Sequence, residues 1–221
     1  NHFEAGLTGR PRSDWCSRAQ MLWAELRRPA IGLFLFFLSL TLYLTRLAPS
    51  VVPGDPGEYQ LVAARWGIGH PPGYGFYAVV GNLFTHLFPL GTFAWRANVF
   101  AAVCAAWMVA LCYSVGHLVL AGPSRQTTFR PTLVGRIRQE FSPVLGAVAL
   151  ATGIGFWQHA IHANAHILTA LLAMLTLYCL VRWWHDWRRP SDSSLPNLAA
   201  RRRNRWLYVA AFLAGVSPTQ H

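Results

Sequence analysis

Lysine is absent from this chain of 221 residues, and acidic residues are scarce. All 19 Lys+Arg positions are arginine, against 8 acidic residues, so the formal net charge is +11. Because 53% of the residues are hydrophobic and only 12% are charged, the composition indicates an integral membrane protein in a lipid bilayer. The arginines flank apolar runs long enough to span that bilayer, so we expect no nucleic-acid partner.

The chain also lacks cysteine spacing typical of metal sites or disulfides. Three of the four cysteines lie inside apolar runs, where they are expected to pack as small hydrophobic side chains. We therefore predict no metal site and no cofactor, although the sequence does not exclude an assisting divalent ion. The four cysteines are Cys16, Cys104, Cys112 and Cys179.

The apolar runs predict an all-α, polytopic membrane protein. The chain starts without Met and ends inside an apolar run, so we expect it to be part of a longer protein. Residues 1–28 would be a cytoplasmic segment, and residues 29–221 the N-terminal part of the membrane domain. No clear cleavage site follows the first run, which favours a signal anchor. The predicted spans are 29–48, 96–121, 141–157, 163–183 and 206–221.

Arginine positions favour one topology. The run 73–89 is short for a span, and if it does not cross, sixteen arginines lie inside and three outside. If it crosses, only six lie inside. The positive-inside rule therefore predicts a large external loop over residues 49–95, with a short helix at about 58–66 and a juxtamembrane helix at about 75–88. Residues 190–205 would form a cytoplasmic linker.

Two carboxylates in this loop are the most informative feature. Asp55 and Glu58 lie in a Pro/Gly-rich turn directly after the first span, whereas the other six acidic residues lie in arginine-rich stretches. Carboxylates close to hydrocarbon are costly, so they are functional candidates by default. The structural alternative is a helix N-terminus, in which Asp55 caps the helix and Glu58 complements its dipole.

Histidines form the next group of candidates. His70, in the Gly/Pro-rich stretch 69–74, could bind a phosphate or transfer protons, or the stretch could be a rigid turn with Tyr74 at the interface. On a continuous helix, His159, His162 and His166 would share one face. We interpret these three as a polar, substrate-facing rim, with packing at the membrane interface as the alternative. A metal site is disfavoured because its acidic partner and remaining ligands are missing.

Together these motifs resemble the N-terminal region of a membrane protein family of GT-C type. Its animal members are protein O-mannosyltransferases of the endoplasmic reticulum, and its bacterial members carry a domain of unknown function. The likeness covers roughly residues 30–221 and is strongest over 49–100. It rests on the runs 49–58, 61–64, 67–74 and 94–98.

The resemblance implies a GT-C-like helical bundle with a catalytic acidic residue in the first external loop, which maps onto Asp55 with Glu58 beside it. It also implies a polyprenyl-phosphate-linked sugar donor, used on the lumenal or periplasmic face. This chain has Pro56 where the family usually has Ser. It has Asn164 near a position where the family often has Glu, and residues 217–221 resemble a family segment that ends in a polar-His pair.

The chemistry of the residues agrees with this function. Asp55 would act as general base on the acceptor hydroxyl, with Glu58 supporting it or positioning substrate. The departing phosphate needs cationic or hydrogen-bond donors, and the 75–88 helix could provide an apolar flank for the lipid. The predicted substrate-binding residues are Arg65, His70, Tyr74, Arg96, Asn164, His166, Gln220 and His221.

We therefore predict an inverting multi-pass glycosyltransferase of the bacterial inner membrane or endoplasmic reticulum, with mannose as a candidate sugar. Its acceptor would be a hydroxyl of a protein Ser/Thr or of a glycan. One alternative is a transporter or flippase-like protein that uses Asp55 and Glu58 to bind ions or substrate, although transporters place such charges nearer the bilayer midplane. Another is a histidine-ligated metal or haem protein, for which His117 has no clear partner.

Overall fold

The computed structural model describes residues 12–71, 73–121, 133–188 and 196–220. All regular secondary structure in these ranges is helical, which confirms the predicted all-α class. The described helices are α1 (Arg12–Leu44), α2 (Asp55–Arg65), α3 (Gly75–Leu87), α4 (Phe93–Ala121), α5 (Leu133–Thr152), α6 (Ile154–Ala160), α7 (Ala165–Trp187), α8 (Pro196–Val216) and a 3-10 helix (Ser217–Gln220).

Three helical segments of the described chain are long and apolar enough to cross a membrane. They are Leu26–Leu44 in α1, Phe93–Leu120 in α4 and Ala165–Trp187, which is α7. A fourth crossing is available if α5 and α6 are taken together, although they are bent by 64°. These segments make the chain a multi-pass membrane protein.

The structure shows the helices that contain the predicted spans 141–157 and 206–221. The first is interrupted at Gly153, where ψ is 125°, because glycine is a poor helix former. The second is the end of α8, which begins at Pro196 and contains the arginines 201–203 and 205, so this part of the predicted linker is helical. As a whole, α8 is not among the segments apolar enough to cross. Residues 1–11 and 189–195 lie outside the described chain.

The helices α2 and α3 lie between the first two membrane segments, and they pack on each other and on α4. The side chains of Asn82 and Thr85 explain why α3 is apolar yet carries polar residues. Asn82 Nδ2 and Thr85 Oγ1 donate to the Ala63 carbonyl at 3.0 and 3.1 Å, so both polar groups are buried against α2. With only 13 residues, α3 is too short to span a bilayer.

The largest hydrophobic core lies where α2, α3, α4 and the start of α7 meet. Tyr43, Tyr59 and Tyr77 are among its fully buried side chains. Tyr43 also donates a hydrogen bond to the Ala151 carbonyl at 3.1 Å. This core connects the loop helices to the membrane segments and holds the candidate site at one end of the bundle.

Candidate active site

Asp55 and Glu58 occupy the first turn of α2. The helix starts there because Pro56 suits the first helical positions and acidic side chains complement the N-terminal dipole. The N-cap residue, however, is Gly54, with φ of 79° and no side-chain hydrogen bond to the helix. Asp55 therefore does not cap α2 as the structural alternative predicted, although both carboxylates lie in the first turn, where they complement the helix dipole. In the part of the chain that the structure describes, the exposed Asp55 side chain makes no hydrogen bond or ion pair.

Glu58 is bound to His70. Its Oε2 lies 2.7 Å from His70 Nδ1, and the His70 backbone N–H donates to its Oε1. The hydrogen bonds from His70 hold the pKa of Glu58 below its ordinary value of 4.5. The same contact raises the pKa of His70 above its ordinary value of 6.5. The pair therefore favours a carboxylate next to an imidazolium.

Gly69 permits the close approach of the 69–74 stretch to α2. A Cβ at this position would lie 3.3 Å from Glu58 Oε1 and 3.4 Å from the Tyr74 ring. A larger residue would therefore crowd the Glu58 carboxylate and the Tyr74 ring, and one of these side chains would have to shift by a few tenths of an ångström.

Aromatic rings surround the Glu58–His70 pair. The Tyr74 ring centroid lies 5.5 Å from that of His70, 5.1 Å from that of Tyr59 and 5.8 Å from that of His166. Tyr74 has φ of 50°, a left-handed conformation that costs about 1–3 kcal/mol in a non-glycine residue and is typical of functional sites. The predicted site residues Glu58, His70, Tyr74 and His166 are thus brought together from three separate segments.

The Tyr59 hydroxyl group is buried inside this cluster. It has no partner within hydrogen-bond geometry, and the nearby Tyr74 side chain adds, after burial, to the causes that raise the pKa of Tyr59. Tyr59 is therefore a neutral phenol at physiological pH, with a hydroxyl group that can still form hydrogen bonds. We did not single out this residue in the sequence, where it is simply the neighbour of Glu58.

A buried amide pair fixes the position of α2. Gln60 Nε2 donates to Asn98 Oδ1 at 2.8 Å, and the same oxygen accepts from the Ala163 N–H at 2.8 Å. Asn98 Nδ2 donates to the Ala48 carbonyl at 2.8 Å. This network connects the end of α1, α2, α4 and the turn before α7. A polar signal was present in the sequence, because Asn98 belongs to the 94–98 run, but its positioning role was missed.

The three histidines of the 159–166 stretch do not lie on one continuous helix, so the condition for their sharing a face is not met. The chain leaves α6 at Ala160 and enters α7 at Ala165. Only His166 contacts the aromatic cluster. His159 and His162 lie with ring centroids 6.3 Å apart. Among the described residues, no three His, Cys, Asp or Glu side chains converge as metal ligands.

Asn164 caps α7 in this structure. Its Oδ1 accepts from the His166 N–H at 2.8 Å, and its Nδ2 donates to His159 Nδ1 at 2.8 Å. Both polar groups of the predicted substrate-binding side chain are thus used inside the protein, and its contribution is to hold the start of α7, including His166, in place.

The two arginines predicted to bind phosphate lie apart from the cluster. Arg96 donates to the carbonyls of Thr85, Pro89, Leu90 and Gly91 at 2.9–3.2 Å, so its guanidinium group stabilises the turn between α3 and α4. Arg65 is exposed in the last turn of α2. It lies about 15 Å along the helix axis from Asp55, at 1.5 Å per residue.

The C-terminal pair Gln220 and His221 is described only in part. The 3-10 helix Ser217–Gln220 contacts α3 and α7, so the backbone of this segment reaches the end of the bundle that holds the site. The Gln220 side chain and residue His221 lie outside the described chain.

The helices and this polar cluster define a multi-pass, all-helical membrane protein with an acidic site between its loop helices and α7. The chain belongs to the family described as the protein O-mannosyl-transferase TMEM260 N-terminal domain, whose profile matches residues 55–221. This confirms the family predicted from the motifs.

Two curated relatives carry the same family name. The chain is 24% identical to protein O-mannosyl-transferase tmem260 of Dictyostelium discoideum, over 100% of this chain and 25% of the relative. It is 27% identical to protein O-mannosyl-transferase TMEM260 of Mus musculus, over 82% of this chain and 22% of the relative. The chain thus spans about a quarter of their length. No solved structure matches it, so the GT-C architecture stays a prediction.

Proposed function

We propose that this chain is the N-terminal part of a membrane glycosyltransferase. It would transfer a sugar, with mannose as the candidate, from a polyprenyl-phosphate donor to a hydroxyl group of a protein or glycan on the external or lumenal face. The observation that carries the proposal is the exposed Asp55 carboxylate one turn from the Glu58–His70 pair. The names of the relatives support the reaction class.

Asp55 is the general base of the proposed reaction. Its carboxylate takes the proton of the acceptor hydroxyl as the oxygen bonds to the anomeric carbon, while the bond from that carbon to the phosphate oxygen breaks. The electron pair of the broken bond leaves with the lipid phosphate, and the configuration is inverted. An exposed carboxylate that makes no described internal contact is available to an incoming hydroxyl group, whereas Glu58 is engaged by His70.

His70 stabilises the departing phosphate in this proposal. Its Nδ1 is directed to Glu58, which leaves Nε2–H as a donor to a phosphate oxygen, and the raised pKa of His70 favours the charged form. Glu58 acts through His70 and is a positioning residue. In the sequence, Glu58 could either support Asp55 or position the substrate, and the contact with His70 favours a positioning role.

Exposed apolar side chains on α2, on α3 and just before His70 suit the lipid part of the donor. Ile68, two residues before His70, is 90% exposed, and Leu61 and Leu87 on α2 and α3 are 60% and 73% exposed. A polyprenyl chain would cover such side chains, as the hydrocarbon of a bilayer would. A soluble nucleotide sugar has no hydrocarbon chain that would cover these apolar side chains.

The distribution of arginine supports the external face. Arg46, Arg65 and Arg96 are the described arginines at the site end, and the other described arginines lie on the helices towards the opposite end. By the positive-inside rule, the end with few arginines faces outward.

The test is Asp55→Asn in the full-length protein, with transfer measured from a radiolabelled polyprenyl-phosphate mannose to an acceptor peptide. Removal of the base should reduce the rate by about 10²–10⁴-fold. Asp186→Asn, the same change at the far end of α7, is the matched control and should leave the rate unchanged. A folded and fully active Asp55→Asn protein would disprove the assignment and favour the transporter alternative.

A further inference from the structure

A cavity of about 300 Å³ lies at the end of the bundle opposite the candidate active site. It lies between the start of the α1 span and the later turns of α4 and α7. Along α4, the site contact Asn98 and the cavity residue His117 are about 30 Å apart, at 1.5 Å per residue. The cavity is lined by Arg28, Tyr113, Ser114, His117, Tyr178 and Arg182, among others, and we call it the arginine cavity.

Among the residues that the structure describes, no carboxylate balances the positive charge of the arginine cavity. The neighbouring Arg27 pairs with Glu140, but among the described residues neither Arg28 nor Arg182 contacts a carboxylate. The Arg182 guanidinium lies 5.3 Å from the Trp206 ring centroid. Its Nε–H is buried without a hydrogen-bond partner, which is costly for a charged donor.

The other lining groups favour an anion. The phenol groups of Tyr113 and Tyr178 and the imidazole of His117 are hydrogen-bond donors, and no carboxylate is among the described residues that line the cavity. Ser114 donates to the Ala110 carbonyl at 2.8 Å, so its hydroxyl proton is already used. Phosphate oxygens are typically bound by guanidinium groups and other hydrogen-bond donors. The arginine cavity offers guanidinium groups from two different helices, with phenol donors between them.

A second cavity, of about 420 Å³, adjoins the first. Its wall is mostly apolar, with Leu118, Val119, Leu180 and Val181 from α4 and α7, and Leu118 lines both cavities. A ligand that combined a phosphate with a hydrocarbon chain would therefore find a complementary wall for each part.

We propose that this end of the bundle binds an anionic phospholipid, with its phosphate between Arg28 and Arg182 and an acyl chain along the apolar cavity. A membrane lipid is the occupant rather than free phosphate, because the cavity lies at the ends of membrane-spanning helices, at the depth of lipid headgroups. The proposal concerns the opposite end from Asp55 and does not depend on sugar transfer.

The first experiment uses the full chain in detergent and needs no variant. Native mass spectrometry and thermal unfolding are followed while phosphatidylglycerol, phosphatidylcholine or inorganic phosphate is added. We expect phosphatidylglycerol to bind and to raise the unfolding temperature, and the other two compounds to have little effect. Equal binding of phosphatidylcholine would disprove the anionic headgroup, and equal stabilisation by inorganic phosphate would disprove the lipid.

The second experiment locates the lipid. Arg28→Gln and Arg182→Gln should each weaken phosphatidylglycerol binding by about tenfold, the equivalent of one charge-assisted hydrogen bond. Arg138→Gln is the matched control, because Arg138 is exposed on α5 at the same end and loses the same charge. Unchanged binding in both cavity variants, or an equal loss in the control, would show that general surface charge holds the lipid and would overturn the site.

Discussion

The two ends of the helical bundle differ in whether their charged side chains are paired within the described protein. At the candidate active site, the Glu58 carboxylate and the His70 imidazole hold each other in place, and aromatic rings fix both. At the arginine cavity, Arg28 and Arg182 face a space without a described acidic partner. A site whose charges are already ordered is suited to chemistry on a substrate that comes and goes. A site with unbalanced charge is suited to holding an ion or headgroup from outside.

An ion pair at each end shows the difference in detail. His70 and Glu58 are 41% and 35% exposed, and Arg27 and Glu140 are 48% and 41% exposed. Exposure is therefore similar, but the His70 backbone N–H also donates to Glu58, which fixes the geometry. The Arg27–Glu140 pair has no second contact of this kind among the described residues. The predictions below test this contrast, beginning with the largest expected effect.

Replacement of His70 should damage catalysis most after that of Asp55. We expect His70→Ala to reduce kcat by about 10²–10³-fold, the effect of removing one donor to a developing negative charge. His185→Ala, at the other end of α7, is the control and should behave as wild type. Equal activity of the two variants would remove His70 from the proposed reaction.

Replacement of Asn98 should affect stability rather than chemistry. Asn98→Ala removes the acceptor of Gln60 and Ala163 and the donor to Ala48, so buried polar groups are left unpaired. We expect a loss of about 2–4 kcal/mol in the free energy of unfolding, since each such group costs about 1–3 kcal/mol. Chemical denaturation in detergent measures this. Ser114→Ala, which removes one hydrogen bond within α4, is the control and should lower the free energy of unfolding much less. An equal loss in the two variants would contradict the positioning role of Asn98.

The pH dependence of transfer should depend on Glu58. If the His70 imidazolium binds phosphate, activity is lost as pH rises through the raised pKa of His70. Glu58→Gln removes the main cause of that increase, so the alkaline limb of the rate profile should move to lower pH, towards the ordinary value of 6.5. An unmoved limb in an active variant would show that the imidazolium is not the group being titrated.

The Glu58–His70 pair also makes the stability of the protein depend on pH. The contribution of His70 is complete below 6.5 and is lost as pH rises through its raised pKa. The contribution of Glu58 is complete above 4.5 and is lost as pH falls through its lowered pKa. The stabilising effect of the pair is therefore greatest between these two ordinary values, and thermal unfolding across pH should lose this feature in Glu58→Gln.

The ion pair at the other end should matter least. Arg27→Gln should reduce stability by less than about 1 kcal/mol, because exposed pairs gain little over their hydration. A double-mutant cycle with Glu140→Gln measures the coupling. A coupling of several kcal/mol would show that the two ends hold their ion pairs equally firmly.

The family, the all-α class and the loop helices could be predicted because they depend on local signals. Apolar runs, Pro and Gly boundaries and the Asp55–Glu58 motif are readable in the sequence. The amide network was not predictable, because the contact between Gln60 and Asn98 depends on how α2 packs on α4.

The contacts of Arg96 and the arrangement of the three histidines could not be predicted from the sequence either. An arginine near a membrane span binds backbone carbonyls as readily as phosphate, and only the turn before α4 decides between them. The spacing of His159, His162 and His166 would place them on one face only if a helix continued past Ala160, and α6 ends there. Long-range packing and the turn between α6 and α7 therefore account for most of what could not be predicted from the sequence.

The cap at the start of α7 fixes where His159 carries its proton. The His166 N–H needs an acceptor, so the Asn164 amide must present its oxygen there and its NH₂ group to His159 Nδ1. His159 is then the neutral tautomer with its proton on Nε2, since a second proton would place two N–H donors face to face. A glutamate near this position could only accept, and would require a proton on Nδ1. The exchange of an amide for a carboxylate therefore reverses the tautomer of this histidine.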